Sequence, residues 1–181
     1  MTALHLSPEG AYPFLALDDQ QLAHACRVEA YQASGPGGQK RNRTYSAVRL
    51  MHPATGISVI AEESRSQNEN KVRALRRLRM AIAFRVRKEQ RDAGFALPET
   101  ITPYFKQDAP LQVNQKNPLY PLICTAILDV LYSVQGSLGD ASRQLGLSTG
   151  RLSRFFGRDR DLLHAVNQLR AHFTLRPLRQ G

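Results

Sequence analysis

Apolar positions recur in this chain with two different periods, and the change from one to the other divides it into segments. Residues 26–33 (CRVEAYQA) alternate weakly between apolar and polar, as a strand would. Residues 45–51 (YSAVRLM) and 57–61 (ISVIA) read as two further strands, with Pro53 and Gly56 supplying a hairpin turn between them. From residue 67 to 91 the spacing becomes helical, with Val72, Leu75, Leu78, Ile82 and Val86 on one stripe. Arg73, Arg76, Arg77, Arg85, Arg87, Lys88 and Arg91 share the rest of that helix, and Gly94 is expected to end it. Residues 26–93 therefore form an α+β unit, a short antiparallel sheet with a long basic helix.

On either side the pattern differs. Residues 1–25 hold Pro8, Gly10 and Pro13 with little periodicity, and read as an N-terminal arm. Residues 94–118 carry Pro98, Pro103, Pro110 and Pro118 without a clear period, as a linker or extended wrap would. Residues 119–175 are all-helical. Ile123, Ile127, Val130 and Val134 make one stripe, and Ser137 with Asp140 has the spacing of a capping box. Leu138, Ala141 and Leu145 are expected to face inward, followed by a break at Gly146-Leu147-Ser148 and by Leu152, Phe155 and Phe156. Asp159 can cap a last helix bearing Leu162, Leu163, Val166 and Leu169. Residues 176–181 are a short basic tail. The stretch 137–157 resembles a helix-turn-helix, whose second helix would expose Arg151, Arg154 and Arg158 at i, i+3 and i+7. Nucleic acid and protein are both open as partners for that face.

Composition narrows the classes. At 181 residues, 42% apolar, the chain fits one or two small globular domains. Cys26 and Cys124 show no metal or disulfide framework and read as small buried hydrophobes. The five histidines lack zinc-ligand spacing, so no metal or cofactor is expected. The longest apolar stretch, Leu119 to Tyr132, is interrupted by Pro121, Thr125 and Asp129 and is too short to span a bilayer. The first basic residue is Arg27, so no charged leader is expected, and a cytoplasmic, monomeric protein without membrane contact is the expectation.

Charge changes the picture more. The net charge is +10, and residues 34–91 alone, with 14 basic and 4 acidic side chains, account for as much. Such a block attracts polyanions, because their neutralisation releases condensed counterions. Twenty of the 25 cations are Arg, which favours bidentate phosphate contact and stacking over plain solvation.

The most specific signal is Ala33-Ser-Gly-Pro-Gly-Gly-Gln-Lys-Arg-Asn-Arg-Thr44, whose glycines let backbone approach another molecule closely. A phosphate-binding loop of the GxxxxGK[ST] type is excluded, since Lys40 is followed by Arg41 and not by a hydroxyl. The series Gly35-Pro36-Gly37-Gly38-Gln39, Asn42-Arg43-Thr44, SAVRL at 46–50, His52-x-x-Thr55-Gly56-Ile57 and Arg65-Ser66-Gln67-x-x-Asn70-Lys71 resembles the catalytic domain of the class I peptide-chain release factors over residues 30–92. The resemblance implies an α+β fold and hydrolysis of the ester joining a nascent peptide to tRNA, in the peptidyl-transferase centre of the large ribosomal subunit. It assigns Gly37, Gly38 and Gln39 to catalysis, the Gln39 main-chain N–H as oxyanion donor and its side chain as a limit on the entering nucleophile. The chemistry agrees, because a tetrahedral oxyanion needs an oriented N–H, and ribosomal RNA can supply the rest of the site. Lys40, Arg41, Arg43, Arg65 and Lys71 are assigned to ribosomal RNA; the alternative for them is a solvated basic face.

Lys40 and Arg41 depart from the small or neutral residues that bacterial members usually place after the glutamine. Full-length members also carry a stop-codon-reading domain and a long helical arm, and 29 or so residues before the match leave no room for them. Release independent of the codon is therefore expected, as in ribosome rescue, with the ribosome (large-subunit RNA) and peptidyl-tRNA as partners. The other function class is an inactive nucleic-acid-binding protein acting through the helix-turn-helix.

Overall fold

The computed structural model describes residues 4–31, 45–88, 97–106 and 111–179. In chain order its elements are β1 (His5–Ser7), α1 (Tyr12–Leu15), α2 (Asp19–His24), β2 (Arg27–Tyr31), β3 (Ala47–His52), β4 (Ile57–Ala61), α3 (Gln67–Arg85), β5 (Val86–Lys88), a 3-10 turn (Thr102–Phe105), α4 (Tyr120–Ser133), α5 (Leu138–Gln144), α6 (Thr149–Gly157) and α7 (Arg160–His172). They group into two compact units, Pro13–Ile82 and Met1–Tyr12 with Ala83–Gly181. The mixed α+β character expected from the pattern is present.

In the unit Pro13–Ile82, β2, β3 and β4 form an antiparallel sheet in that order, with Tyr31 opposite Ala47 and Val48 opposite Ala61. The hairpin turn is built by the His52-x-x-Thr55-Gly56 sequence. The His52 ring lies buried edge-on to Phe14, and its Nδ1 is 2.9 Å from the Thr55 hydroxyl. Gly56 takes φ +64°, a conformation that glycine adopts without steric cost. Leu22, Val48, Leu50, Ala74, Leu75, Leu78 and Ile82 are buried in this unit. A fully buried Leu or Ile side chain stabilises by about 1.5–3 kcal/mol.

Helix α3 starts on a modified cap. Ser66 Oγ accepts from the Glu69 N–H at 3.4 Å, while the Glu69 carboxylate takes the Ser64 hydroxyl at 2.6 Å. Its buried stripe is Ala74, Leu75, Leu78, Ala81 and Ile82; Val72, expected on the stripe, is 45% exposed. The helix also ends at Arg85, short of the expected residue 91. Val86–Lys88 pairs instead with β1 in parallel, His5 opposite Val86. Tertiary pairing overrides the helical period there, and Arg87, expected on the basic face, is fully buried. Gly94 and Arg91 lie outside the described residues.

Residues 1–25, expected as an arm, supply β1, α1 and α2, with α2 capped reciprocally by Asp18 and Gln21. Cys26 is half-buried rather than buried.

In the second unit, Arg87 donates to Asp129 at 2.6 Å, to the Thr125 carbonyl at 3.2 Å and to the Ala83 carbonyl. Helix α4 is buried nearly all round, from Ile123 to Leu131, rather than along one stripe. That is the pattern of a central helix. The turn that follows it carries Gly136, φ +80°, whose N–H returns to the Leu131 carbonyl at 2.7 Å. A Cβ there would meet Leu175 at 3.0 Å. Ser137, Ser148 and Asp159 cap α5, α6 and α7. Leu138 and Leu163 are half-buried, and Ala141, Leu145, Leu152, Phe155, Phe156, Leu162, Val166 and Leu169 are buried.

The stretch expected as a linker contributes packed residues: Ile101, Phe105, Leu111 and Val113 are buried, and the 3-10 turn interrupts it. Within the expected basic tail, Leu178 is held by Asn167, whose side chain both accepts from its N–H at 2.7 Å and donates to its carbonyl at 3.0 Å.

Candidate functional site

The segment from residue 32 to 44 leaves β2 and returns at β3. Gly37, Gly38, Gln39, Lys40, Arg41 and Arg43 lie outside the described residues. What surrounds their attachment points is described. On the β2 side the ladder ends with Tyr31 opposite Ala47. The Arg49 guanidinium lies 5.4 Å from the centre of the Tyr31 ring, and it pairs with Glu29 at 3.4 Å. The Tyr31 hydroxyl donates to Glu62 at 3.3 Å, and desolvation together with the Glu62 charge pushes its pKa up. The tyrosine is therefore neutral at physiological pH, a hydrogen-bond donor at the sheet edge.

On the β3 side the attachment is made by a side chain. Asn70, on the first turns of α3, is fully buried. Its Nδ2 donates to the Ser46 carbonyl at 2.6 Å and to the Ser64 carbonyl at 2.8 Å, and its Oδ1 accepts from the Ser64 N–H at 3.0 Å. The residues before β3 and those before α3 are thereby joined. Arg77 adds a second tie, donating to the Ile60 carbonyl and to Glu63. The hydrogen bond from Arg77 holds the Glu63 carboxyl below the usual carboxylate range. Arg79 fastens α2 to α3 through Asp19 at 2.9 Å and the Leu17 carbonyl at 2.6 Å.

Arg65 and Lys71 stand on either side of this joint, Arg65 on the bend before α3 and Lys71 one residue beyond Asn70, both exposed. With Arg76, also exposed, they make no ion pair among the described residues, whereas Arg49, Arg73, Arg77 and Arg79 each have a carboxylate partner. Unpaired exposed guanidinium and ammonium groups on and just before one helix are chemically suited to phosphate. The sequence singled out Arg65 and Lys71 by motif; Asn70 stood in the same motif with no role assigned, although a polar amide one turn before a buried helical stripe was the available signal.

The three C-terminal arginines do not form a uniform exposed face. Arg154 is exposed. Arg151 is half-buried and donates to the Lys106 carbonyl from both Nη1 and Nη2, each at 3.4 Å. Arg158, at the end of α6, donates to the Leu111 carbonyl at 3.4 Å. Two of the three therefore each donate to a backbone carbonyl, and of these Arg158 is exposed. Helices α5 and α6 are joined by residues 145–148, with Gly146 at φ +66°.

Comparison with known proteins addresses the first of these regions. The RF-1 domain family model matches residues 20–99. A peptide chain release factor homolog of Escherichia coli is 44% identical over 80 residues, 44% of this chain and 37% of that protein. Peptide chain release factor 2 of Mycobacterium sp. strain JLS is 49% identical over 71 residues, 39% of this chain and 19% of that protein. Peptide chain release factor 1 of Anaplasma phagocytophilum is 41% identical over 85 residues, 47% of this chain and 22% of that protein. The matched stretch thus spans well under half of each of these relatives. It contains the glycine-rich segment, the sheet and α3, so over this stretch the chain is similar to the RF-1 domain and to peptide chain release factors.

Proposed function

We propose that this protein hydrolyses the peptidyl-tRNA ester in the ribosomal peptidyl-transferase centre, independently of the codon in the A site, in translation termination or the rescue of stalled ribosomes. The observation that carries the reading is the family match over residues 20–99, with Gly37-Gly38-Gln39 inside it. In this reading the Gln39 N–H donates to the oxyanion of the tetrahedral intermediate. Gly37 and Gly38 let the backbone come close enough to do so. The Gln39 side chain limits which nucleophile enters. Lys40, Arg41, Arg43, Arg65 and Lys71 bind large-subunit RNA, and Arg154 with Arg151 and Arg158 is the candidate nucleic-acid face of the C-terminal helices. The protein acts as a monomer in the cytoplasm, with no cofactor or metal of its own. No helix of the described residues is long and apolar enough to cross a membrane.

The test is release of labelled peptide from purified ribosomes carrying peptidyl-tRNA, with a stop codon, a sense codon or no codon in the A site. The expected result is release at similar rates on all three. A rate that rises a hundredfold on stop codons alone would show codon reading and remove the codon-independent part of the proposal. No release on any complex would remove the hydrolase.

A further inference from the structure

We propose that Asn70 is a positioning residue for the release reaction, fixing the point at which the chain passes from the glycine-rich segment into β3. The inference rests on the hydrolase reading above. Ser46, whose carbonyl accepts from Asn70 at 2.6 Å, is seven residues beyond Gln39 and immediately precedes the ladder that begins at Ala47. The other end of the segment is held by main-chain pairing at Tyr31. At the exit the same pairing reaches Ala47, and the residue before it, Ser46, is held by the Asn70 amide.

That amide is not replaceable by shape alone. Asn70 uses both of its donors and its acceptor, pairing with the N–H and C=O of Ser64 as a strand would and reaching Ser46 with the second amide hydrogen. Aspartate has the same shape but no donor in its ionised form, and glutamine is one methylene longer. The neighbouring buried positions of α3 are apolar, Ala74, Leu75 and Leu78, and a packed aliphatic side chain would serve burial as well. A fully buried amide at this place is explained by what it joins. Ser64 adjoins Arg65 and Asn70 adjoins Lys71. The same three hydrogen bonds therefore tie the exit of the catalytic segment to the backbone that bears two of the proposed RNA contacts. A misplacement of about 1 Å at a reacting centre can cost on the order of 10²-fold in rate.

The experiment compares the full chain with Asn70→Asp and Asn70→Ala. Single-turnover peptide release at saturating protein, ribosome affinity by sedimentation, thermal melting, and the partition of released peptide between water and added hydroxylamine are measured from pH 6 to 8. The expected result is folded variants that bind ribosomes within about twofold of wild type, release peptide roughly 10–100-fold more slowly, and admit more hydroxylamine relative to water. The rate of Asn70→Asp relative to wild type should rise as pH falls. Burial raises the pKa of a carboxyl group, and its protonated form regains one donor for the Ser46 carbonyl. Wild-type rate and partition in folded variants would overturn the positioning role. So would a rate loss that merely tracks lost affinity or lost fold, or variants that do not fold at all, since Asn70 would then serve stability only. A wild-type protein inactive on every ribosome complex would instead overturn the hydrolase reading, and this inference with it.

Discussion

At the scale of single residues, the proposed hydrolysis rests on main-chain atoms. An N–H aimed at a developing oxyanion does its work without ionisable side chains, and the residues around it must leave it room. Gly38→Ala is expected to reduce peptide release about 10²–10³-fold, the usual effect of losing one oxyanion donor. Melting temperature and ribosome sedimentation should be unchanged, because the buried side chains of the unit Pro13–Ile82 are supplied by other residues. Release at the wild-type rate by the alanine variant would remove the catalytic assignment. The glycines, Gln39 and the flanking cations were legible in the sequence as a pattern of residue types. Asn70 was legible only as one letter of a motif. That its amide meets Ser46, 24 positions earlier, depends on how a strand and a helix start come together, which no local pattern encodes.

At the scale of elements, Arg87 shows how far environment can reassign a side chain. Counted as part of a solvated helical face, it lies in β5 with no exposure, paired with Asp129. Breaking a buried pair from one side leaves the partner charge without compensation, typically at a cost of about 3–5 kcal/mol. Replacing both by apolar residues of similar volume is often neutral. Arg87→Ala and Asp129→Ala are each expected to lower stability by about 3–5 kcal/mol in denaturant melts, with Arg87→Met/Asp129→Leu much nearer to wild type. A double variant as unstable as the singles would show that the hydrogen bonds to the Ala83 and Thr125 carbonyls, rather than the ion pair, carry the stability. The caps were the elements' most legible features. Ser137, Ser148 and Asp159 are short polar residues directly before apolar periodicity, and each accepts from the first turn of its helix. Ser137 does so without the reciprocal half of a box, since Asp140 pairs with Arg143 at 3.1 Å.

At the scale of the whole molecule, the asymmetry of charge is the property that bears on function. If Arg65 and Lys71 each neutralise an RNA phosphate, Arg65→Ala/Lys71→Ala should weaken ribosome binding. It should also reduce the slope of log affinity against log salt by roughly 0.7–0.9 per lost contact. Sedimentation over a salt series reads both numbers. An unchanged slope would return these two cations to the status of a solvated face. Stability should move by no more than about 0.5 kcal/mol, as expected for exposed substitutions.

The sequence by itself determined the chemistry and the secondary-structure types. Residue identity sets charge, the glycine-rich segment and the caps, and apolar spacing of period 2 or 3.6 reports on strands and helices. It therefore placed β2, β3, β4, the start of α3 and the C-terminal helices, and it carried the resemblance that the family match bears out. Only the tertiary structure decided where α3 stops, that residues 5–7 pair in parallel with 86–88, that Ile101, Phe105, Leu111 and Val113 are buried, that Arg87 is buried, and that Arg151 and Arg158 each donate to a backbone carbonyl. The physical reason is the same in each case. A three-residue strand, an irregular packed stretch or a buried guanidinium has no periodicity of its own, and owes its stability to hydrogen-bond acceptors and apolar surface contributed by residues some 40 to 80 positions away.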